Sequence, residues 1–366
     1  MWIKSVEGKN FRNYKALSIE LDKGINLLYG DNAQGKTNIL EIIYICSTSR
    51  SHRGSKDKEL ILFGEEEAHL RLFVYKRKDL HKIDIHYKKN GKKGIAIDGV
   101  PVKKASEMFG YLNVVMFSPD DLAVVKNGPA ERRRFLDKEI CQIDPVYMDD
   151  LVKYNKILDH RNRLLKEIPF RSSLLDTLDV WDEQLAAYGN RIIEKRKEFI
   201  VNTGVMCRGI HETLTSGKEK MELEYEENVS SEDLREKLKE SRERDIHTAQ
   251  TNRGPHRDDF IIKANGIDLR TFGSQGQQRS AAVSLKLSEI KMIKDVTGED
   301  PVLLLDDVLS ELDGSRQESL LKEINNIQTV ITGTGMYDFI KNNLSIGKKY
   351  FVKEGTVREM SLDMEE

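Results

Sequence analysis

No apolar run in this chain approaches the roughly 18 residues that a helix needs to cross a bilayer, and Met1-Trp2-Ile3-Lys4-Ser5-Val6-Glu7 lacks the apolar centre of a secretory signal. Both absences lead to the expectation of a cytoplasmic protein with no membrane partner. Cysteine is scarce. The three thiols, Cys46, Cys141 and Cys207, are far apart and without metal-ligand spacing, which excludes a disulfide framework and argues for buried thiols over redox or zinc chemistry. Net charge is only −2 over 366 residues, so bulk electrostatics alone do not call for a nucleic-acid partner. Internal repeats and low-complexity segments are also absent. What remains, 39% hydrophobic and 33% charged residues, is a globular composition rich in exposed helix and long enough for two or three domain-sized units.

One motif stands out. Gly30-Asp31-Asn32-Ala33-Gln34-Gly35-Lys36-Thr37 fits G-x-x-x-x-G-K-[ST] at every fixed position, between the strand-like Ile25 to Tyr29 and the helical pattern Asn38 to Ser47. A loop from strand to helix exposes backbone N–H groups that can surround a triphosphate. The glycines permit close approach, Lys36 can reach the β- and γ-phosphates, and the Thr37 hydroxyl can ligate Mg²⁺. Nucleoside triphosphate binding is the expectation.

Along the first 115 or so residues, short β-type runs (Trp2 to Val6, Lys15 to Leu21, Ile25 to Tyr29, His69 to Val74, Ile83 to Tyr87, Gly94 to Ile97, Asn113 to Phe117) alternate with turn signals such as Asn90-Gly91 and Asp98-Gly99. From Ala130 to Lys239 the period becomes helical, over Arg132 to Ile140, Val146 to Glu167, Leu174 to Leu214 and Glu232 to Arg242. The mixed charges of Glu219 to Asp245 suggest a solvated helix face. Strand patterns return at Phe260 to Lys263, Val302 to Leu305, Val330 to Thr332 and Lys349 to Val352, with helices at Gln277 to Val296 and Arg316 to Ile324. A nucleotide-binding fold split around a helical insertion is expected.

Pro301-Val302-Leu303-Leu304-Leu305-Asp306-Asp307 reads as a buried strand ending in two carboxylates, the form of a Walker B strand. Asp306 would hold Mg²⁺, and Asp307 would orient the attacking water as a catalytic acceptor, with Lys36 supporting the transferred phosphoryl group. A further segment, Phe272-Gly273-Ser274-Gln275-Gly276-Gln277-Gln278-Arg279, precedes a strong helical pattern. A Ser hydroxyl, a glycine N–H and a helix N-terminus make an anion site, and one triphosphate does not need two such sites in one subunit. The economical explanation is that the second meets the γ-phosphate of a partner's nucleotide in a two-fold dimer. An ordinary Ser N-cap with a glycine turn is the alternative.

The order of phosphate loop, S-Q-G-Q-Q signature, L-L-L-D-D strand and Ser310-Glu311-Leu312-Asp313 resembles the head domains of ABC-type ATPases. A more specific resemblance, covering the whole chain, is to the RecF family, related to SMC heads. It rests on Phe11-Arg12-Asn13-Tyr14, Phe117-Ser118-Pro119-Asp120-Asp121-Leu122, Arg132-Arg133-Arg134-Phe135-Leu136-Asp137, Gly254-Pro255-His256-Arg257-Asp258-Asp259 and the S-Q-G-Q-Q-R run, in the family's order. The implied fold is an α/β, ABC-type (SMC-like) P-loop ATPase head split by a helical arm domain. Its implied parts are residues 1–125 (phosphate loop and β-rich lobe), 126–245 (arm) and 246–366 (signature, Walker B and D-loop). For the site, the resemblance implies ATP and Mg²⁺ as cofactors, with Arg12 and Asn13 beside the phosphate loop and Ser274, Gly276 and Gln277 in the signature. For function, it implies an ATP-dependent homodimer on DNA, weak DNA-stimulated ATP hydrolysis that resets the clamp, recombinase loading at gaps with RecR and RecO, and support of the SOS response. Four departures from the transporter pattern fit this family: Gln275 in place of the first signature glycine, Asp307 in place of Glu, Thr332 where transporters carry a switch His, and Phe117-Ser118-Pro119 without a Q-loop glutamine. An ABC transporter ATPase subunit and a small-molecule kinase are the competing readings.

Charge distribution suggests where DNA would lie. From Lys76 to Lys104 ten Lys/Arg face three acids, a net of +7. Lys76, Arg77, Lys88, Lys89, Lys92 and Lys93, extended by Arg53, are the candidate phosphate contacts, on duplex or on single-strand/duplex junctions. Few aromatics interleave with them, so base stacking is not evident. Solubilising lysines on exposed hairpins are the alternative.

Overall fold

The structure is a computed structural model that describes residues 1–311, 314–324, 326–333 and 345–361. Two compact units share the chain. One comprises residues 1–121 and 289–366, the other Leu122–Ser288.

The first unit opens with β1 (Trp2–Phe11), β2 (Tyr14–Glu20) and β3 (Ile25–Tyr29), followed by α1 (Lys36–Thr48). Next come β4 (Glu67–Lys76), β5 (Asp79–Lys88), β6 (Gly94–Ile97), β7 (Val100–Pro101) and β8 (Val114–Phe117). The second unit holds α2 (Leu122–Lys126), α3 (Pro129–Ile143), α4 (Pro145–Glu167), α5 (Leu178–Leu214), β9 (Met221–Glu226), α6 (Leu234–Glu240), α7 (Arg242–Thr248), β10 (Asp259–Ala264), β11 (Ile267–Asp268) and α8 (Leu269–Phe272). Helix α9 (Gln275–Thr297) leads back to β12 (Val302–Asp306), α10 (Gly314–Ile324), β13 (Thr329–Gly333), β14 (Ile346–Lys353) and β15 (Thr356–Met360).

Two six-stranded sheets build the first unit. One runs β15-β14-β3-β13-β12-β8, parallel except for its β15 edge, and the other runs β2-β1-β4-β5-β6-β7, antiparallel throughout. Val302 to Leu305 of β12 is a continuous apolar run, and every residue of β3, β12 and β13 except Tyr29 is buried, because a parallel strand is covered on both faces. Alternation in β4 (Ala68, Leu70, Leu72 and Val74 buried) marks a sheet with one wet face. Helix α1 is apolar nearly all round, and Ile39, Leu40, Ile42, Ile43, Ile45 and Cys46 are fully buried in a core that gathers residues of both sheets. Truncating Leu40 to Ala in such packing costs about 2–5 kcal/mol.

Order in the parallel sheet positions the chemistry. Its β3, β12 and β13 all end at the same edge, and ligands of open parallel sheets bind beyond the carboxyl ends of the strands. Strand β13 lies between β3 and β12, so the phosphate loop and the Asp306-Asp307 pair leave strands that are one apart.

In the second unit, α4 and α5 pack together, and β9-β10-β11 form an antiparallel sheet. The solvated helix face expected over Glu219 to Asp245 is corrected in its first part: Met221-Glu222-Leu223-Glu224-Tyr225-Glu226 is a strand paired with β10. Its apolar and acidic residues alternate with period two, a strand signal hidden among charges that suit helices. The helix expected at Glu232 to Arg242 is two short helices that meet at Ser241. This unit also extends to Ser288, whereas the sequence boundary falls at residue 245. The ties are ionic and specific. Arg161 is fully buried between Asp182 and Asp245, Arg132 forms a two-pronged pair with Asp259, and the Arg196 guanidinium donates to the Pro255 carbonyl and to Asp137. The Arg132 to Asp137 and Gly254 to Asp259 motifs thus meet inside one unit.

Candidate functional site

The phosphate loop follows β3 and caps α1, and its backbone has no room for larger residues. Gly30 adopts φ 145° and Gly35 φ 118°; a Cβ on Gly30 would lie 2.3 Å from the Val352 carbonyl, and one on Gly35 within 2.9 Å of both Asn13 and Tyr14. Those glycines are the condition for a tight ring of outward N–H groups at a helix N-terminus. Tyr14 Oη donates to the Gly35 carbonyl at 3.1 Å, and Asn13 Nδ2 to the Gln34 carbonyl at 2.9 Å. Gln34 in turn accepts the Glu354 N–H on Oε1 at 2.8 Å, anchoring the loop to the β14–β15 turn. Asn13 also accepts from Asn38 at 2.8 Å, so it braces both the loop and the first turn of α1.

Lys36 is buried, and its ammonium donates to the Gly30 and Asp31 carbonyls at 2.7 and 2.8 Å. Burial pushes its pKa down, opposed by Asp307, Asp306 and Asp31, which favour the charged form. The Thr37 hydroxyl donates to Asp306 Oδ1 at 2.8 Å, and the Thr332 hydroxyl reaches the same oxygen at 2.9 Å. Thr332 Oγ1 also accepts the Asp307 N–H at 3.0 Å. Asp307 itself has φ 53°, the left-handed conformation that turns the chain at the strand end and frees adjacent carboxylates from pointing to opposite faces. Thr37 and Asp306 supply hard oxygen donors side by side, a set that fits Mg²⁺ and not a softer thiolate-seeking metal.

Arg12 stands beside the phosphate loop and is held from behind it. Its guanidinium grips the fully buried Glu41 of α1 through Nε (2.8 Å) and Nη2 (2.7 Å), and it also reaches Ser55 Oγ and the Glu59 carbonyl. Burial alone would raise the Glu41 pKa, but the hydrogen bonds from Arg12 and Ser51 outweigh it and hold the carboxyl below its usual range. In this conformation Arg12 fastens the helix behind the loop.

The signature lies in the second unit and has its own geometry. Ser274 is exposed and caps α9 reciprocally: its Oγ accepts the Gln277 N–H at 3.2 Å, while Gln277 Oε1 accepts the Ser274 N–H at 2.9 Å. Gly276 lies in the first turn of α9. The Ser N-cap considered from sequence is therefore present. Since an N-cap oxygen still carries its own O–H, it does not conflict with an anion site. Of the D-loop motif, Leu312 and Asp313 lie outside the described residues.

The basic segment occupies the β4–β5 and β5–β6 hairpins. Lys88, Lys89, Lys92, Arg77 and Arg53 are exposed. Acids just before the counted window temper the charge: Lys89 pairs with Glu66 at 2.8 Å, Lys88 approaches Glu67 at 3.6 Å, and Lys93 donates to the Ser49 carbonyl with Asp57 at 3.5 Å. Lys76 lies over the Tyr111 ring, and Arg53 donates to Asn38 on α1, next to Thr37.

Phosphate loop, paired strand-end carboxylates and an inserted helical unit define a P-loop ATPase head of the ABC and SMC class. Residues 2–348 match the RecF/RecN/SMC N terminal domain family. A DNA replication and repair protein RecF of Agathobacter rectalis is 53% identical over 357 residues, covering 98% of this chain and 99% of the relative. Two solved structures of the recombination mediator protein RecF in the RecFOR pathway, described as RecF-ATPrS and RecF-ATP, superpose with TM-scores of 0.91 and 0.89. Both are 39% identical and cover 98% of this chain, and the match spans 98% and 99% of those chains. The chain belongs to the RecF family of DNA replication and repair proteins.

Proposed function

We propose that this chain is an ATP-switched DNA clamp of recombinational repair and replication restart. ATP binds at Gly30 to Thr37, two subunits close on DNA through composite sites, and slow hydrolysis resets them; the clamp helps load recombinase at gaps together with RecR and RecO and supports the SOS response. Identity of 53% along the full chain favours this role over a transporter ATPase subunit. The observation that carries the reading is the hydroxyl–carboxylate junction Thr37–Asp306–Thr332–Asp307, which joins the loop's metal ligand to the strand-end acids.

In that site the backbone N–H groups of the loop hold the phosphates and Lys36 exchanges its carbonyl partners for phosphate oxygens, relieving the cost of its burial. Thr37 and Asp306 would hold Mg²⁺, which when bound neutralises charge developing on the β- and γ-phosphates. Asp307 accepts a hydrogen bond from the attacking water and Thr332 fixes its backbone. Because the carboxylate of Asp is one methylene shorter than that of Glu, water is held less closely, which suits a timer. The exposed lysines of the β5–β6 hairpin and Arg53 contribute phosphate contacts on duplex or junction DNA.

Sedimentation with ATP, ADP or no nucleotide, each with and without duplex DNA, tests the reading. A dimer that forms with ATP and is retained on DNA is expected. A monomer under all six conditions contradicts it.

A further inference from the structure

The signature does not stand on its own cap. Gln277, whose amide oxygen is committed to the Ser274 N–H, sends its amide nitrogen to Glu219 Oε1 at 3.0 Å. Glu219 lies on the connection between α5 and β9, and its other oxygen meets His211 Nε2 at 3.1 Å. His211, near the end of α5, is fully buried, and its Nδ1 is 3.0 Å from Ser284 Oγ on α9. Ser284 closes the chain by donating to the Ser280 carbonyl at 2.8 Å. Five side chains, Ser274, Gln277, Glu219, His211 and Ser284, therefore run from the surface of α9 into its buried face and back.

The chemistry of each link gives a direction to the control. Ser274 Oγ accepts from Gln277 N–H, which leaves the Ser274 O–H as the donor free for a phosphate oxygen and fixes the torsion along which it points. Gln277 holds that geometry only in the rotamer that places its oxygen on the Ser274 N–H. A glutamine on a helix surface has many rotamers and loses side-chain entropy when held in one. A charge-assisted hydrogen bond to a carboxylate is strong enough to offset that loss. Glu219 would swing away in turn unless its second oxygen were held, and His211, locked by packing and by Ser284, holds it.

We propose that Glu219 and His211 are positioning residues for the signature: they fix Gln277 so that Ser274 meets the γ-phosphate of a partner subunit's ATP. This inference rests on the composite-site reading above. Neither residue touches nucleotide, and both act through Gln277.

The test compares Glu219→Ala with Glu219→Gln. Alanine removes both links. Glutamine keeps both: its amide oxygen accepts from Gln277, and its amide nitrogen donates to Nε2 of a neutral imidazole whose Nδ1–H serves Ser284. Glu219→Ala should bind ATP as a monomer within about twofold of wild type, yet dimerise with ATP about tenfold more weakly or worse and turn over more slowly, as expected for a lost charge-assisted bond. Glu219→Gln should recover most of both properties, a rescue that a mere loss of fold stability does not give. Should Glu219→Ala fail to fold, Glu219→Asp carries the same test, since it is one methylene too short to hold both partners. Wild-type dimerisation and turnover in the folded Ala or Asp variant overturns the inference. Ser274→Arg, run in parallel, separates the two levels: if it blocks dimerisation while Glu219→Ala does not, only the positioning role fails, and if neither has an effect, the composite site fails with it.

Discussion

The hydroxyl of Thr37 donates a 2.8 Å hydrogen bond to Oδ1 of Asp306, from 269 positions earlier in the chain. Sheet order makes this junction possible, because β3 and β12 flank β13 and end at one edge. Thr332, near the end of the strand between them, donates to the same oxygen at 2.9 Å.

Asp307→Asn should keep ATP and Mg²⁺ binding but hydrolyse far more slowly, because an amide is a much poorer proton acceptor than a carboxylate. The fold should tolerate it, since Asn accepts the left-handed φ of 53° readily. Single-turnover hydrolysis checks the slowing, and an ATP-bound dimer that outlives the wild-type one should accompany it; an unchanged denaturant midpoint checks the fold. Turnover at the wild-type rate assigns the water to another residue.

Thr332→Val preserves shape but removes the group that accepts the Asp307 N–H and contacts Asp306. Leaving a buried donor without its acceptor costs about 1–3 kcal/mol, and since the Asp307 N–H is only partly buried, denaturant unfolding should show a loss at the low end of that range. Hydrolysis should fall further than ATP affinity does, because Thr332 orients the acids and not the phosphates. Equal losses in kcat and in binding speak against that division.

Reversing Lys88, Lys89, Lys92 and Lys93 to Glu should weaken duplex binding and flatten its dependence on salt, since fewer counterions are released. The pairings with Glu66 and Glu67 mean that part of this charge is already neutralised, so Lys92, exposed at the hairpin, should account for more of the effect than Lys89. Equal affinity and an equal salt slope identify these residues as solubilising lysines.

His256 makes the second unit acid-sensitive. Burial lowers its pKa to about 4, outweighing the bond to the Thr251 carbonyl, and nearby Arg257, Arg133 and Arg196 add to the fall. Its Nδ1 is 2.6 Å from Tyr154 Oη and its Nε2 2.9 Å from the Thr251 carbonyl, the pattern of a neutral ring. Since the folded pKa lies below the unfolded value of 6.5, protonation favours unfolding. The contribution is complete above pH 7, declines as pH falls through 6.5, and is lost by about pH 4. Between pH 7 and 5 the loss should be about 2 kcal/mol, measured by denaturant unfolding, and it should shrink in His256→Gln. An identical pH slope in that variant assigns the acid sensitivity elsewhere.

How much of this was legible in the sequence depended on whether the signal was local. Ile25 to Tyr29 is a strand with those bounds, because an apolar run before a glycine turn depends on no partner for its meaning. The strand Met221–Glu226 was hidden, since three glutamates suggest helix until β10 supplies the cross-strand neighbours. In the sequence Thr332 ends a strand pattern and stands where transporters carry a histidine, and its bonds to both halves of the acid pair need the sheet order to be seen. Likewise, the resemblance implies only that Arg12 stands beside the phosphate loop, and folding shows that Glu41, a buried acid on α1, takes its guanidinium. The arm implied by the resemblance ends at residue 245, near the end of the helical period, whereas ion pairs such as Arg132–Asp259 hold later residues in the helical unit.

The central claim is that each ATP is shared between the phosphate loop of one subunit and the signature of its partner. Mixing Ser274→Arg with Lys36→Ala tests it most directly. Alone, Ser274→Arg should bind ATP without dimerising, because bulk and positive charge stand where the partner's phosphate docks, and Lys36→Ala should lose tight ATP binding with the ammonium. Mixed, they form one composite site with an intact loop and an intact signature and one site with both defects, so hydrolysis should reappear at less than half of the wild-type rate. Wild-type hydrolysis by a monomeric Ser274→Arg protein, or a mixture no more active than its components, contradicts the shared site.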